Sequence, residues 1–420
     1  MAHKESKKQL YVYADWREFE RPELMGILNV VLSRGKEIFS FEYDEKWLKS
    51  GIAQTLDPDL QLYRGSQYLR DEKENFGVFL DSSPDRWGRV LMKRREAALA
   101  KREKRSEKTL LETDYLLGVF DGHRMGALRF KENNEGPFLN DNKKMATPPW
   151  AEIRDLEFAS LQLEKENISE DPDYMKWLNL LIAPGSSLGG ARPKASVIDE
   201  KKHLWIAKFP STKDDIDKGL WEMITNELAV KSGINVAKGM VKKFTVNHHT
   251  YLTKRFDREE NGKRIHFASA MTMLGYTDHA DGVSYLELAE FLIRNGSNTN
   301  TDLEEIWRRI VFNICVKNTD DHLRNHGFFL TQAGWTLSPA YDVNPNPMGT
   351  GLNLNISDND NSLDLQLALE VAEFFRVNSK NAKEIINIIK KVVSNWNTYA
   401  KKHNISKEEQ ELMSNAFWKD

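Results

Sequence analysis

The chain has 420 residues, 40% of them hydrophobic and 29% charged, with 60 basic side chains against 63 acidic ones. That length exceeds the usual single core, so at least two packed units are expected, and the near balance of charge excludes a protein whose bulk charge by itself recruits nucleic acid. The single cysteine, Cys315, excludes a disulfide within the chain; it falls in an apolar-periodic segment, which predicts a buried thiol in a reducing compartment rather than a catalytic nucleophile.

Met1 to Gln9 is polar, and no stretch approaches the roughly 18 apolar residues needed to cross a bilayer, so neither a signal peptide nor a membrane contact is expected and the expected location is cytoplasmic. Residues 10–130 mix short strand-like runs, Leu10 to Tyr13 and Ile38 to Tyr43, with helical patches and a turn-like Asp121 to Gly126, the pattern of an α+β subdomain. Residues 131–149 shift to Asn, Glu, Lys, Gly and Pro and read as a linker.

From 150 to 267 the order becomes Gly-rich loop, strand, helix and hairpin. Ser196 to Ile198 and His203 to Phe209 read as strands around a charged turn, Trp221 to Ser232 as a helix stopped by Gly233, and Thr250 to Phe256 with Lys263 to Phe267 as a hairpin on Asn261-Gly262. Residues 268–420 are mainly helical. Ser284-x-x-Glu287 is a capping box ahead of a helix. Leu303, Ile306, Trp307, Ile310, Val311 and Ile314 follow one buried helical face, Ile385 to Trp396 repeats that rhythm, and Ser406-x-x-Glu409 caps a last helix.

The polar motifs gather around the second of those helices. Asp320 and Asn325 stand five apart in Asn318-Thr319-Asp320-Asp321-His322-Leu323-Arg324-Asn325. This is the spacing of the catalytic Asp and metal-binding Asn of a protein-kinase catalytic loop, where one short loop presents a carboxylate to a hydroxyl and an amide oxygen to Mg²⁺. On this segment alone a polar helix C-terminus is the alternative. Asp342 follows across a hairpin turning at Gln332-Ala333-Gly334, in the place of a kinase's second metal-binding Asp. Upstream, Ser186 to Lys194 holds paired glycines that let backbone N–H groups approach phosphate, or else forms an ordinary loop. Lys208 ends a strand as the phosphate-pairing Lys of a kinase does, and Glu222 or Glu227 on the next helix is placed to hold it, or else is a solvated charge.

Together these segments resemble the HipA kinases, the toxin halves of bacterial toxin–antitoxin pairs. The resemblance runs through Ser186 to Lys194, Ile206 to Pro210, Arg255 to Arg258, Asn318 to His322 and Pro339 to Val343. It extends to Ser83 to Gly88 and Asp121 to Leu128, so that it covers nearly the whole chain.

It implies an α+β, two-lobed protein-kinase-like fold with an additional N-terminal α+β subdomain, a nucleotide-binding lobe over 150–267 and a helical catalytic lobe over 268–420. The activity it implies is an ATP- and Mg²⁺-dependent protein serine/threonine kinase acting on a translation-related protein such as an aminoacyl-tRNA synthetase. Asp320 would then be the catalytic base with Lys208 as phosphate partner, and Asn325 and Asp342 the Mg²⁺ ligands. The nucleotide would be bound by Ser187, Leu188, Gly189, Gly190, Ala191, Arg192, Lys194, Lys208, Glu222, His322, Asn325 and Asp342. Ser187, with Ser186 as adjacent alternative, matches the autophosphorylated serine, whose added charge of about −1.5 to −2 would be repelled from bound phosphates. The loop here reads Arg192-Pro193 where the best-known members have Gln-Glu.

The implied partners are the protein substrate and a HipB-like DNA-binding antitoxin, with DNA contacted at most through that complex. The alternatives are a HipA-like binding module or co-repressor with little turnover, and a small-molecule kinase of the same fold. Two further features read more plainly. The basic run from Lys93 to Lys108 is interspersed with Glu, as in a solvated helix face, with a nucleic-acid contact as the alternative. His322 beside Asp320 and Asp321 is not expected to hold zinc, because no second His lies at zinc-like spacing within a suitable scaffold: His326 sits at the opening of a strand.

Overall fold

Alternation of buried and outward side chains along Leu10, Val12 and Ala14, all fully buried, builds an interior strand of the first sheet. The computed structural model describes residues 7–70, 73–139, 148–182, 190, 192–244, 248–278 and 280–419. Its contacts divide the chain into two units, Met1–Lys213 with Asp257–Ala268, and Asp214–Phe256 with Ser269–Asp420. Among the described residues no helix is long and apolar enough to cross a membrane.

In the first unit, β1 (Lys7–Ala14), β2 (Glu23–Ser33), β3 (Lys36–Tyr43), β4 (Gln67–Tyr68) and β5 (Leu128–Lys131) form a sheet of order β4-β3-β2-β1-β5. The pairs β1–β2, β2–β3 and β1–β5 are antiparallel, with a register shift between Val12 and Tyr13. The expected strands at 10–13 and 38–43 are present, and β2 between them goes beyond that expectation. Gly26 in β2 has no room for a side chain: a Cβ there would lie 2.3 Å from the carbonyl oxygen of Glu42. The buried face carries Phe41 and Phe130, and Phe79 of helix Gly77–Leu80 packs on both, its ring 5.6 Å from Phe41 and 5.8 Å from Phe130. Burial of these large rings, each removing on the order of 150–250 Å² from water, supplies much of this unit's stabilisation.

Helix Arg86–Glu103 begins at Asp85, whose carboxylate accepts from Gly88 N at 2.8 Å, and it carries most of the basic run. There Arg105 pairs with Glu96 and Glu103, and Lys108 with Asp114, so part of that charge is neutralised locally. The charged turn expected at 199–202 connects β6 (Lys194–Ile198) to β7 (Leu204–Lys208). Asp199 holds it by accepting from Lys201 N, His203 N and Trp205 Nε1.

The hairpin expected over 250–267 is a correction. The chain does turn at Asn261-Gly262, where Gly262 has φ +86°, but the pairing beyond the turn is short: Glu259 N donates to Lys263 O at 2.9 Å and Ile265 N to Asp257 O at 3.0 Å around an isolated bridge between Arg258 and Arg264. Asp257 and Arg258 also spend side-chain polar atoms on the 122–126 turn. Asp257 Oδ2 accepts from Gly126 N at 2.9 Å, and Arg258 Nη2 donates to Arg124 O at 2.9 Å, which ties this segment to that turn rather than into a longer ladder. In the second unit, β9 (Thr250–Lys254) pairs antiparallel with β8 (Gly239–Lys242), and the next strand along the chain is the short β10 (Phe267–Ser269).

The remaining helices follow their apolar spacing. Helix Lys218–Lys231 precedes Gly233 at φ +80°, and helix Tyr285–Asn295 starts at Ser284 with the complete capping box. Helix Thr299–Val316 buries Leu303, Ile306, Trp307, Ile310, Val311 and Ile314, and Cys315 beside them is buried, which pushes its thiol up to about 12. Helices Ser379–Ser394 and Trp396–Lys402 occupy the expected 385–396 segment. At the last helix, Ser406 Oγ accepts from Glu409 N, while the Glu409 carboxylate accepts from Asp217 N and Trp221 Nε1 instead of closing the box.

Candidate active site

Helix Thr299–Val316 ends at Lys317, a left-handed C-cap with φ 48°, and this reversal starts the polar loop. Within the loop, neighbouring carboxylates part company: Asp320 is exposed and Asp321 is buried. A short 3₁₀ turn over Leu323–Asn325 follows. Asn325 is 4% exposed; its Nδ2 donates to Asp320 O at 3.1 Å, and its Oδ1 is buried with no hydrogen-bond partner among the described residues. His322 N also donates to Asp320 O, at 3.1 Å, and the Nδ1 of His322 is buried without a partner.

The hairpin of β11 (Gly327–Thr331) and β12 (Gly334–Leu337), turning at Gly334 with φ +126°, brings the chain back to this loop. Tyr341 Oη donates to Arg324 O at 2.6 Å, which ties the residue before Asp342 to the 323–325 turn. Asp342 has φ 58°, a left-handed conformation that is costly for a residue with a Cβ and that characteristically marks functional positions. Asn344 holds that conformation from both sides: its Nδ2 donates to Asp342 Oδ1 at 3.0 Å and its N to Asn318 Oδ1 at 3.1 Å.

Glu222, 6% exposed on helix Lys218–Lys231, converges with Asp342 on the same phenol. Tyr251 is pushed well above its ordinary pKa by burial first and then by the charges of Glu222 and Asp342. Glu227, the other carboxylate considered on that helix, is paired with Lys402 at 2.9 Å and His403 at 3.3 Å.

In the first unit, Lys194 and Lys208 stand directly opposite each other across β6 and β7, both buried. Two like charges at opposed strand positions repel. A carboxylate relieves this pair: Lys194 Nζ lies 3.1 Å from Asp85 Oδ2, with both side chains 4% exposed. Burial raises the Asp85 carboxyl, while Lys194 and the N–H groups at the helix start pull it the other way. Lys194 Nζ also lies 3.5 Å from Gly190 O, where Gly190 has φ +86°. Arg192 follows, half-buried. Ser186, Ser187, Leu188, Gly189 and Ala191 lie outside the described residues.

An Mg²⁺ ion fits the second-unit groups. It takes hard oxygen ligands, typically only one or two from protein carboxylates, and completes its shell with water and phosphate. An orphaned buried amide oxygen beside an Asp answers that description. Among the described residues no group of three or more His, Cys, Asp or Glu side chains forms a cage by itself.

Sequence reasoning missed what lies under the loop. Asp321 Oδ2 accepts from Tyr285 Oη at 2.5 Å, Asn313 Nδ2 at 2.8 Å and His326 Nε2 at 2.8 Å. Burial alone would push this carboxyl up, yet His326, through its charge and hydrogen bond, and the Tyr285 hydroxyl hold it below the ordinary value. The available signal was Asn313, an amide on an otherwise apolar helix in Ile310-Val311-Phe312-Asn313-Ile314, since a buried polar side chain demands a partner.

Residues 186–396 match the family model described as the HipA-like C-terminal domain. A Haemophilus influenzae protein inferred to be a kinase is 28% identical over 180 residues, which is 38% of this chain and 52% of that protein. The serine/threonine-protein kinase toxin HipA of Shewanella oneidensis is 26% identical over 188 residues, 38% of this chain and 43% of the toxin. The chain thus spans about half the length of the curated relatives it matches. HipA of Shewanella oneidensis MR-1, solved with HipB and its operator DNA, superposes with a TM-score of 0.66 at 17% identity, covering 97% of this chain and 94% of that one. At that identity the likeness is one of fold, and the α+β, kinase-like class expected from the sequence is the class the structure has.

Proposed function

The chain belongs to the HipA family, and on that premise we propose that it is an ATP- and Mg²⁺-dependent protein serine/threonine kinase, the toxin of a toxin–antitoxin pair acting in the cytoplasm. The observation that carries the proposal is the division of labour in one short loop: Asp320 exposed, and Asn325 Oδ1 buried and unpaired. A purely structural turn has no use for an orphaned buried acceptor, which costs about 1–3 kcal/mol when left unmade.

In this reading Asp320 orients the serine hydroxyl of a protein substrate and takes its proton as the oxygen attacks the γ-phosphorus of ATP, the bond from that phosphorus to the β–γ bridging oxygen breaks and ADP leaves. Asn325 Oδ1 and the Asp342 carboxylate hold Mg²⁺, which when bound neutralises charge on the phosphates. Lys208 pairs with phosphate oxygens, and Gly190, Arg192, Lys194, Glu222 and His322 contribute to nucleotide binding, together with residues 186–191. The same chemistry applied to the chain's own serine modifies Ser187, with Ser186 as the neighbour to be distinguished. The substrate class we propose is a translation-related protein such as an aminoacyl-tRNA synthetase. The partner is a HipB-like DNA-binding antitoxin, since the Shewanella HipA was solved with HipB and operator DNA; DNA is then met only through that complex.

Purified protein incubated with Mg²⁺ and ATP is expected to gain the mass of one phosphate, located to Ser187 or Ser186 by peptide mass spectrometry. Asp320→Gln is expected to remove the gain. A wild-type protein that stays unmodified and fails to bind ATP would favour the binding-module reading instead.

A further inference from the structure

We propose that Asp321 is a positioning residue of the phosphate-transfer loop: one buried carboxylate oxygen gathers Tyr285, Asn313 and His326, and thereby fixes Asp320 outward and Asn325 Oδ1 free. The role in turnover rests on the kinase reading above; the fixing of the loop does not.

Three donors from three separate elements end on one atom. Tyr285 opens helix Tyr285–Asn295, Asn313 lies on helix Thr299–Val316, and His326 directly precedes β11. Their bonds to Asp321 Oδ2 are 2.5, 2.8 and 2.8 Å long. A neutral acceptor would not serve equally. An ionised carboxylate only accepts, and bonds to it are shorter and roughly twice as strong as neutral ones, whereas an amide in its place introduces N–H donors among groups that already donate.

The network continues to both ends of the site. Asn313 Oδ1 accepts from Asn318 Nδ2 at 3.1 Å, and Asn318 Oδ1 accepts from Asn344 N, while Asn344 Nδ2 holds Asp342 Oδ1. One chain of hydrogen bonds therefore runs from Asp321 through the first residue of the loop to Asp342. On the other side, the backbone carbonyl of Asp320 takes the Asn325 amide N–H, so the Asn325 side chain has its nitrogen committed and its oxygen left over. Asp321 and Asp320 are consecutive, and anchoring the one inward sends the other out.

Solvent has little scope to replace the anchor. The void lined by Asn313, Asp321, Asn325, His326 and Tyr341 amounts to about 10 Å³, room for one water at most. Loss of the carboxylate charge must then be met by moving the donors, and with them the loop, because a network that acts as a unit loosens as a unit.

The test uses the full chain carrying Asp321→Asn, Tyr285→Phe or both, with wild type alongside. Autophosphorylation kinetics are expected to show kcat down about 100-fold for Asp321→Asn and about 10-fold for Tyr285→Phe, with KM for ATP within about threefold. The double variant is expected to be no worse than Asp321→Asn alone, since both remove the same anchor. Mn²⁺ affinity in the presence of ADP, read by electron paramagnetic resonance, is expected to weaken about tenfold or more in Asp321→Asn. A merely structural role predicts instead a loss of active fraction, with kcat per folded molecule and Mn²⁺ affinity unchanged, and that result overturns the proposal, as does an additive double variant. Should Asp321→Asn fail to fold, Tyr285→Phe carries the same comparison. Should the wild type neither turn over ATP nor bind Mn²⁺–ADP, the kinase reading falls. Amide hydrogen exchange over 318–326 then decides the anchoring by itself: faster exchange in Tyr285→Phe supports it, and unchanged exchange overturns it.

Discussion

Two places in the molecule bury charge, and they do so in opposite ways. In the first unit Asp121 accepts from Arg129 at 2.6 Å and Arg264 at 3.2 Å, and Arg129 also reaches Asp15 at 3.1 Å. Arg124, fully buried beside them, donates to the carbonyls of Ser82, Leu116 and Val119 and lies over the Phe130 ring. Burial pushes its guanidinium down to about 10, with Asp121 pulling it back up. Here cations and anions are spent on one another and on the end of helix Glu112–Gly118. In the second unit the donors are mostly neutral and converge on Asp321, while its neighbours Asp320 and Asn325 keep an exposed carboxylate and an unpaired oxygen. The first arrangement sets charge against charge, and the second sets one charge against several neutral donors.

Removing a member of the first assembly is expected to unfold; removing an atom left over in the second is expected to silence. Arg124→Met gives the largest effect. It strips donors from three buried carbonyls and is expected to cost the first unit about 4–5 kcal/mol in urea unfolding. A change under about 1 kcal/mol would show that solvent reaches those carbonyls and that the cluster is dispensable. Asp320→Gln inverts the pattern, lowering the rate of autophosphorylation about 10³-fold, or about 4 kcal/mol of transition-state stabilisation, with the urea midpoint unchanged because the side chain is exposed. A midpoint that falls along with the rate would erase the contrast between the regions. Lys194→Met sits between them. It leaves Asp85 buried without its cation and is expected to destabilise the first unit by about 3 kcal/mol, and Asp85→Asn in the same chain is expected to restore part of the loss by removing the orphaned charge.

The same contrast explains what could be read from the sequence. The helix over 299–316 and the capping box at 284–287 were legible because period and cap are local properties of the chain. The spacing of Asp320 and Asn325 was legible because a loop that short fixes its own geometry. Strand β2, Glu23–Ser33, was not singled out, since its apolar run through Ile27, Leu28, Val30, Val31 and Leu32 does not by itself separate strand from helix. The ladder expected at 263–267 stays short, with Asp257 and Arg258 bonded also to residues more than 130 positions away, which no local pattern reveals. Asp321 reads as a duplicate of Asp320 until Tyr285, 36 positions earlier, is seen to bond to it. Asp121-Gly122-His123-Arg124 was legible as a motif, and its work, holding carbonyls and balancing charge, became visible only once its partners were in place.

The smallest expected effect comes from His266, a titratable group that the first unit buries beside the ion pairs of Arg264. It is 2% exposed, its ring lies 5.2 Å from that of Trp16, and burial lowers its pKa from 6.5 to about 3. The native imidazole is therefore neutral where an unfolded one is protonated. Its contribution to stability is complete above about pH 6.5 and is lost as pH falls toward 3, at about 1.4 kcal/mol per unit. Asp57, raised by burial to about 6, runs the other way between roughly pH 4 and 6, because a carboxyl kept protonated in the native state favours folding at lower pH. The informative quantity is thus the difference between wild type and His266→Phe, in which Asp57 cancels. At pH 7.5 the two are expected to lie within about 1 kcal/mol, and by pH 5 the variant should have gained about 2 kcal/mol on the wild type. Parallel unfolding curves at both pH values would mean that the imidazole takes up its proton without leaving the folded state, and that this unit tolerates a buried cation more readily than its ion-paired neighbours suggest.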